Sequence, residues 1–594
     1  MIAGDTVLIH SGIYDEKVVP AKSGSNGAYI TYRAYGDGEV VIDAQASRDN
    51  CIYVANKSYL QFTNLHLTNT GYGGMKAPFA AYAGSSHLIL DGVTTDKGRF
   101  GILLHGNKTS SEDPGVSVSF VTIKNSIVKN NAAYGIFVYY KVTDTTIGPN
   151  NKIFNENATN GVPVDDQYGI DLDTDYPGDP LNGPRRIIII GNEVYGNRIQ
   201  GIRPWNSQNL LIKDNYVHNN GATGIQVEDG CTNVVVEGNR SEYNSQGYEY
   251  ETGIWIDSTN QALVQGNFVR GNQIGIMVTD SDHILLRNNV SYQNNRAYSG
   301  SNIMGAVLNN SSNITFVHNT LWKNGASESR GNLMACSNGS ITNSVIKNNI
   351  FSQSTGVNDI NVACQLVSDY NDYYNTRPLS IGWFGKTYNW SNYLAASAQD
   401  GHSITVEPIF KDADGGNFNL KDESPTIDRG GFLTKTTSPG SGTSLSVYDA
   451  RYFSDGYGVE AGDIIEIGKA IAKVVKVDYA KNTISIDKSL TWNAEDPVGY
   501  LYTGNAPDQG AYESESSSLT ATPISNPSPT QTFLPGDVTG QNGSPDGKVD
   551  IYDYNLLISD FGKSGSPGFA VSDINKDGQV NIYDYNIVIS NYGK

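Results

Sequence analysis

Charge is scarce in this chain of 594 residues: Asp, Glu, Lys and Arg together make up 17%. What there is leans one way, to a net −20, which argues against a nucleic-acid partner. It would also repel a strongly anionic polymer unless calcium or local arginines intervened. Cysteine is scarce too. Cys51, Cys231, Cys336 and Cys364 show neither metal-ligand nor framework spacing, and are expected to be unreactive packing thiols. No apolar run reaches membrane-spanning length; the longest obvious one, Ile187 to Ile190, stops at Arg186 and Gly191. No signal peptide precedes the strand-like Asp5-Thr6-Val7-Leu8-Ile9, so the chain is either cytoplasmic or trimmed at its start.

Glycine, by contrast, is abundant at 64 residues, and Asn, Ser, Thr and Tyr are plentiful. That mixture suits a turn-rich all-β protein, and the length calls for several domains. From about 50 to 350 the chain repeats itself. Aliphatic runs end at Asn192, Asn215, Asn239, Asn267 and Asn289, which are 23, 24, 28 and 22 residues apart. Weaker copies surround Asn64, Asn125, Asn319 and Asn349. Such a period, made of short β-runs, marks a solenoid.

Each unit holds a second strand of the form Gly-Ile-x-aliphatic-x, at Gly101, Gly135, Gly169, Gly201, Gly224, Gly253 and Gly275. Stacked coils would bury the aliphatic positions in one core, and the Asn at the bend can form a hydrogen-bonded ladder. These residues resemble the right-handed parallel β-helix of pectate-lyase-like proteins, over 1–430. The resemblance implies a fold and leaves the activity open. Residues 431–513 read as a small β module with strands at Gly462–Ile467 and Thr483–Ile486. Residues 514–535, rich in Ser, Thr and Pro, read as a flexible linker.

Residues 536–594 hold two copies of a calcium-loop pattern. In Asp573-Ile574-Asn575-Lys576-Asp577-Gly578-Gln579-Val580-Asn581-Ile582-Tyr583-Asp584, oxygen side chains stand at positions 1, 3, 5, 9 and 12 and Gly at 6 permits the turn. The candidate Ca2+ ligands here are Asp573, Asn575, Asp577, Gln579 and Asp584. In the other copy they are Asp537, Asp546, Lys548, Asp550 and Asp553, with an insertion after Asp537 that makes this the weaker site. Each loop is followed by Tyr-Asn and two aliphatic residues. The pair resembles a type I dockerin. That resemblance implies an α-helical calcium-binding module that docks on a cohesin domain, through Ile551, Tyr552, Ile582 and Tyr583. It also implies an extracellular protein whose signal peptide has been trimmed.

In the Gly-Ile-x-aliphatic-x strands the two x residues point out of the core. In order they are Leu103/His105, Phe137/Tyr139, Asp171/Asp173, Arg203/Trp205, Gln226/Glu228, Trp255/Asp257 and Met277/Thr279. The longest interruptions of the repeat, 156–168, 174–185 and 245–251, fall beside this strip and could wall a groove. Trp205, Trp255, Tyr139 and Gln226 suit the binding of sugar rings, and Glu228, Asp257, Asp173 and Asp171 suit acid/base chemistry on a glycosidic bond. Glu228 and Asp257 on adjacent coils would stand about 5 Å apart, the spacing of a retaining pair; Asp173 and Glu228 would stand about 9–10 Å apart, near the inverting range. The expected function is an extracellular polysaccharide-degrading glycoside hydrolase. Two alternatives stay open. In one, Asp171, Asp173 and Asp175 hold Ca2+ and Arg203 is the base of a polysaccharide lyase; in the other, the β-helix binds glycan without catalysis or serves as a surface structural protein.

Overall fold

The structure is a computed structural model. It describes residues 1–107, 117–156, 167–174, 182–244, 251–296, 303–326, 330–336 and 339–514. Of the C-terminal segment it describes 556, 557, 560, 563, 572–574, 579, 580 and 588. The chain divides into two compact units, 1–517 and 518–594.

In the first unit three long sheets of almost wholly parallel strands run side by side, and the described residues give each a path of 14 strands. Every coil contributes one strand to each, for example Arg185–Ile190 to the first, Glu193–Tyr195 to the second and Ile202–Pro204 to the third. This is a parallel β-helix, as the repeat implied.

Register puts like on like. In the third sheet Ile102, Ile136, Ile170, Ile202, Ile225, Ile254 and Ile276 stack coil upon coil, and each is at most 1% exposed. β-Branched side chains are stiff and fit such a flat interior. The glycine before each Ile is explained by close approach. A Cβ on Gly169 would lie 2.6 Å from the carbonyl of Gly201 and 2.5 Å from Val194, and a Cβ on Gly201 would meet Gly224 and Val217 as closely.

The bends are sealed by asparagine. Asn192, Asn215, Asn239, Asn267, Asn289, Asn319, Asn349 and Asn371 form a buried ladder, each Nδ2 donating to the next Oδ1 at 2.9–3.1 Å. Asn64 and Asn125 do not join it. They adopt left-handed backbone one residue earlier, and the ladder position in their coils is taken by Leu65 and Ser126. A second ladder, Asn197, Asn220, Asn244, Asn272, Asn294 and Asn324, runs along the next bend.

Helix Trp390–Ser397, capped by the side chain of Asn389, packs Tyr393 against Trp383 at the last coils. Residues 434–500 form a six-stranded antiparallel sheet that includes the two strands expected there. Its core residues, among them Leu433, Ile465 and Val498, join Val235, Leu263 and Leu285 from the outer face of the first sheet. A short hairpin at 410–420 likewise packs Phe410 and Phe418 on Tyr292 and Trp322 of the second sheet.

The cysteine expectation needs correcting for one pair. Cys336 and Cys364 form a disulfide between adjacent coils, with Cα atoms 5.8 Å apart. Their separation of 28 residues is one solenoid repeat, which carries no framework signature. Cys51 and Cys231 are packing thiols, and burial pushes both up to about 12.

In the second unit Leu557 and Val588 are buried at matching positions of the two repeats, together with Val580. Val580 N donates to Lys563 O at 2.9 Å. Among the described residues no helix is long and apolar enough to cross a membrane.

Candidate functional site

The outward strip forms as the strand pattern implied. Pairing register sets Phe137 beside Asp171, Asp171 beside Arg203, Trp205 beside Glu228, and Gln226 beside Trp255. Val227 pairs with Ile256, and Glu228 and Asp257 are the next residues along these neighbouring coils, whose strands lie about 4.8 Å apart.

The centre of the strip is a compact charge cluster around one arginine. Arg203 Nε donates to Glu228 Oε1 at 2.6 Å and Nη1 to Asp171 Oδ1 at 3.2 Å, with Asp173 Oδ2 at 3.6 Å. The guanidinium lies against the rings of Tyr168 and Trp205, 5.0 and 4.7 Å from their centroids. Gln226 donates to the other oxygen of Glu228 and accepts from Gln200. Asp171 is fully buried. Burial alone would push Arg203 down, but Asp171, Glu228, Tyr168 and Asp173 outweigh it and hold the guanidinium above its usual range.

Glu228 shows the opposite balance: burial lifts its carboxyl above the usual range despite Arg203. Asp257 is also lifted by burial, and among the described residues no cation is paired with it in compensation. Thr279 donates to Asp257 Oδ1 at 2.5 Å and accepts from Trp255 Nε1 at 2.8 Å, which fixes both side chains.

Outward does not mean exposed along the whole strip. At one end Leu103 and Phe137 are buried with Phe100 and Ala133, and Tyr139 packs on Phe137 and Tyr140. At the other end Met277 is buried with Met304, Val307 and Met334. The polar centre is thus flanked by apolar floors that strand alternation alone did not foretell. Of the interruptions expected to wall the strip, most residues lie outside those described.

Tyr168 and Gln200 stand one residue before the glycine at which the strand pattern begins, so that pattern does not include them. The residue just before the glycine forms its own row: Phe100, Tyr134 and Tyr168 stack at 5.4 Å per step. That row was readable in the repeat.

Asp171 and Asp173 face the Arg203 guanidinium instead of a shared cation position, and Asp175 lies outside the described residues. Among the described residues no three carboxylate, imidazole or thiol groups converge to hold a metal. An arginine held charged by three carboxylates is also a weak base.

In the C-terminal segment Asp573 is buried, 2% exposed, and Gln579 is exposed beside Val580. Asn575, Asp577, Asp584, Asp537, Asp546, Lys548, Asp550 and Asp553, with Ile551, Tyr552, Ile582 and Tyr583, lie outside the described residues.

Three family profiles match parts of the chain. Residues 21–176 match the right-handed β-helix region, 172–290 the periplasmic copper-binding protein NosD, and 535–591 the dockerin type I domain. No curated protein matches. Among solved structures, the periplasmic alginate epimerase AlgG is 17% identical, with TM-score 0.37, covering 57% of this chain and 78% of its own. XylC in complex with xylose is 11% identical, with TM-score 0.35, covering 84% and 95%. Pectate lyase Pel9A is 13% identical, with TM-score 0.27, covering 87% and 89%. None of these likenesses bears on the chemistry of the strip. The chain is a right-handed parallel β-helix that carries a C-terminal type I dockerin module.

Proposed function

We propose that this protein is an extracellular glycoside hydrolase that cleaves a polysaccharide with retention of configuration, Glu228 acting as nucleophile and Asp257 as acid/base. One observation carries the reading: Glu228 and Asp257 directly follow the Val227–Ile256 pair on neighbouring coils, and one strand spacing of about 4.8 Å is near the about 5–5.5 Å of a retaining pair. Their surroundings support the division of roles. Glu228 receives Arg203 and Gln226, donors that favour its ionised form. Among the described residues Asp257 has a threonine hydroxyl and no paired cation, so burial favours its protonated form. Asp173 with Glu228 is a poorer pair, because the Arg203 guanidinium reaches both and fills the space an inverting enzyme needs for water. Trp205 and Trp255 would bound a sugar ring on either side of Glu228.

The Cys336–Cys364 disulfide favours an oxidising compartment. The dockerin profile over 535–591 favours calcium in its loops and docking on a cohesin domain. Asp573, a buried carboxylate at loop position 1, fits a hard oxygen ligand for that ion.

The test is product analysis on plant and microbial polysaccharides. New reducing ends without the ultraviolet absorbance of a conjugated double bond support hydrolysis. Unsaturated products support elimination, and binding without either product overturns both enzyme readings.

A further inference from the structure

The second sheet carries a built cleft on a different face from the strip. Trp322, Ser352 and Tyr374 sit in register on three successive coils. Above them the segment Glu407 to Ala413, with Lys421, encloses an open cleft of about 440 Å³, in the range of small-ligand sites. Its far wall is fixed, since Lys421 N donates to Ile409 O at 2.8 Å and Phe410 and Leu420 are buried against the helix.

The polar groups of the cleft are unequal. Lys323 is occupied: its ammonium lies 4.1 Å from the Trp322 ring centroid and 2.7 Å from Asp414. Gln353 uses its oxygen to accept from Thr376 at 3.3 Å, which leaves its NH2 group to donate. Burial and the neighbouring Glu407 carboxylate hold the Tyr374 hydroxyl above its usual range. Lys421 has no acidic partner among the described residues, an unneutralised cation in a chain of net charge −20. A free ammonium, an amide donor and a phenol–carboxylate pair match one carboxylate and several hydroxyls.

We propose that this cleft binds a uronic acid residue of an acidic polysaccharide, with Lys421 pairing the carboxylate and Gln353, Tyr374 and Glu407 taking hydroxyls. It is an auxiliary site, independent of whether the strip is catalytic. Three coils give a floor about 10 Å long, enough for one or two sugar rings.

The experiment titrates the full chain with digalacturonate and with its neutral counterpart, digalactose, by calorimetry. Digalacturonate is expected to bind and digalactose not to. Lys421→Gln should weaken binding at least about tenfold, Lys323→Gln by less, and Asp257→Asn not at all. No binding, equal binding of the neutral sugar, or full affinity in Lys421→Gln would overturn the proposal. Loss of binding in Asp257→Asn would move the sugar to the strip and overturn it equally.

Discussion

Arg203 and Glu228 are joined across neighbouring coils by a 2.6 Å bond from Nε to Oε1, and the same guanidinium reaches Asp171 and Asp173. One cation thus organises three carboxylates, and its loss should be felt in two separate ways.

The first is in the pH profile. In the proposed mechanism Glu228 must be ionised, so the acid limb follows its carboxyl, which burial holds above the usual range. Removing a nearby cation disfavours the carboxylate and raises that pKa further. Arg203→Met is therefore expected to move the acid limb of kcat/KM to higher pH, while Arg203→Lys leaves it nearly in place. A limb that stays fixed in Arg203→Met would separate Glu228 from the chemistry.

The second is in stability. Asp171 is fully buried, and Arg203→Met removes the guanidinium it pairs with. Breaking such a pair from one side costs about 3–5 kcal/mol, so the melting temperature of Arg203→Met should fall well below that of Arg203→Asn paired with Asp171→Asn. Equal melting temperatures would mean that Asp171 finds another partner.

The ladders make a different prediction. Asn239 Oδ1 accepts from both the backbone N and Nδ2 of Asn215, while its Nδ2 donates to Ile212 O and Asn267 Oδ1. Asn239→Ala leaves those buried groups unpaired, at about 1–3 kcal/mol for each orphan. Thermal unfolding should show a clear drop, whereas Asn26→Ala, at an exposed position outside left-handed backbone, should be near neutral.

Glu156 occupies the second ladder where neighbouring coils use asparagine: it accepts from Asn131 N and donates its own N–H to Asn197. Burial pushes its carboxyl up to about 8 from an ordinary 4.5. Between those values the folded chain keeps a proton that the unfolded chain has released, so stability falls as pH rises through this window and levels off above it. Glu156→Gln should remove that slope and be the more stable protein at pH 8. Parallel stability curves for the two proteins would contradict this.

How much of this was legible in the sequence follows from what repeats. The stacked isoleucines and the strip from Asp171 to Asp257 could be read because a strand alternates with period two and each coil repeats the last. The Cys336–Cys364 bond could not, since two cysteines one repeat apart look like any other repeated pair until the coils are stacked. Neither could the central role of Arg203. Alternation tells which way a side chain points, while ion pairing depends on which rotamer reaches diagonally between coils. The burial of Leu103, Phe137 and Met277 was hidden for a related reason, because neighbours from other coils and bends decide whether an outward residue meets water.

The most direct measurement is the anomeric configuration of the first product released from a susceptible polysaccharide, followed by proton NMR before mutarotation. The account predicts net retention, abolished in Glu228→Gln and recovered in Asp257→Asn on substrates whose leaving group needs no protonation. Net inversion, or an unsaturated product, would contradict the pairing of Glu228 with Asp257.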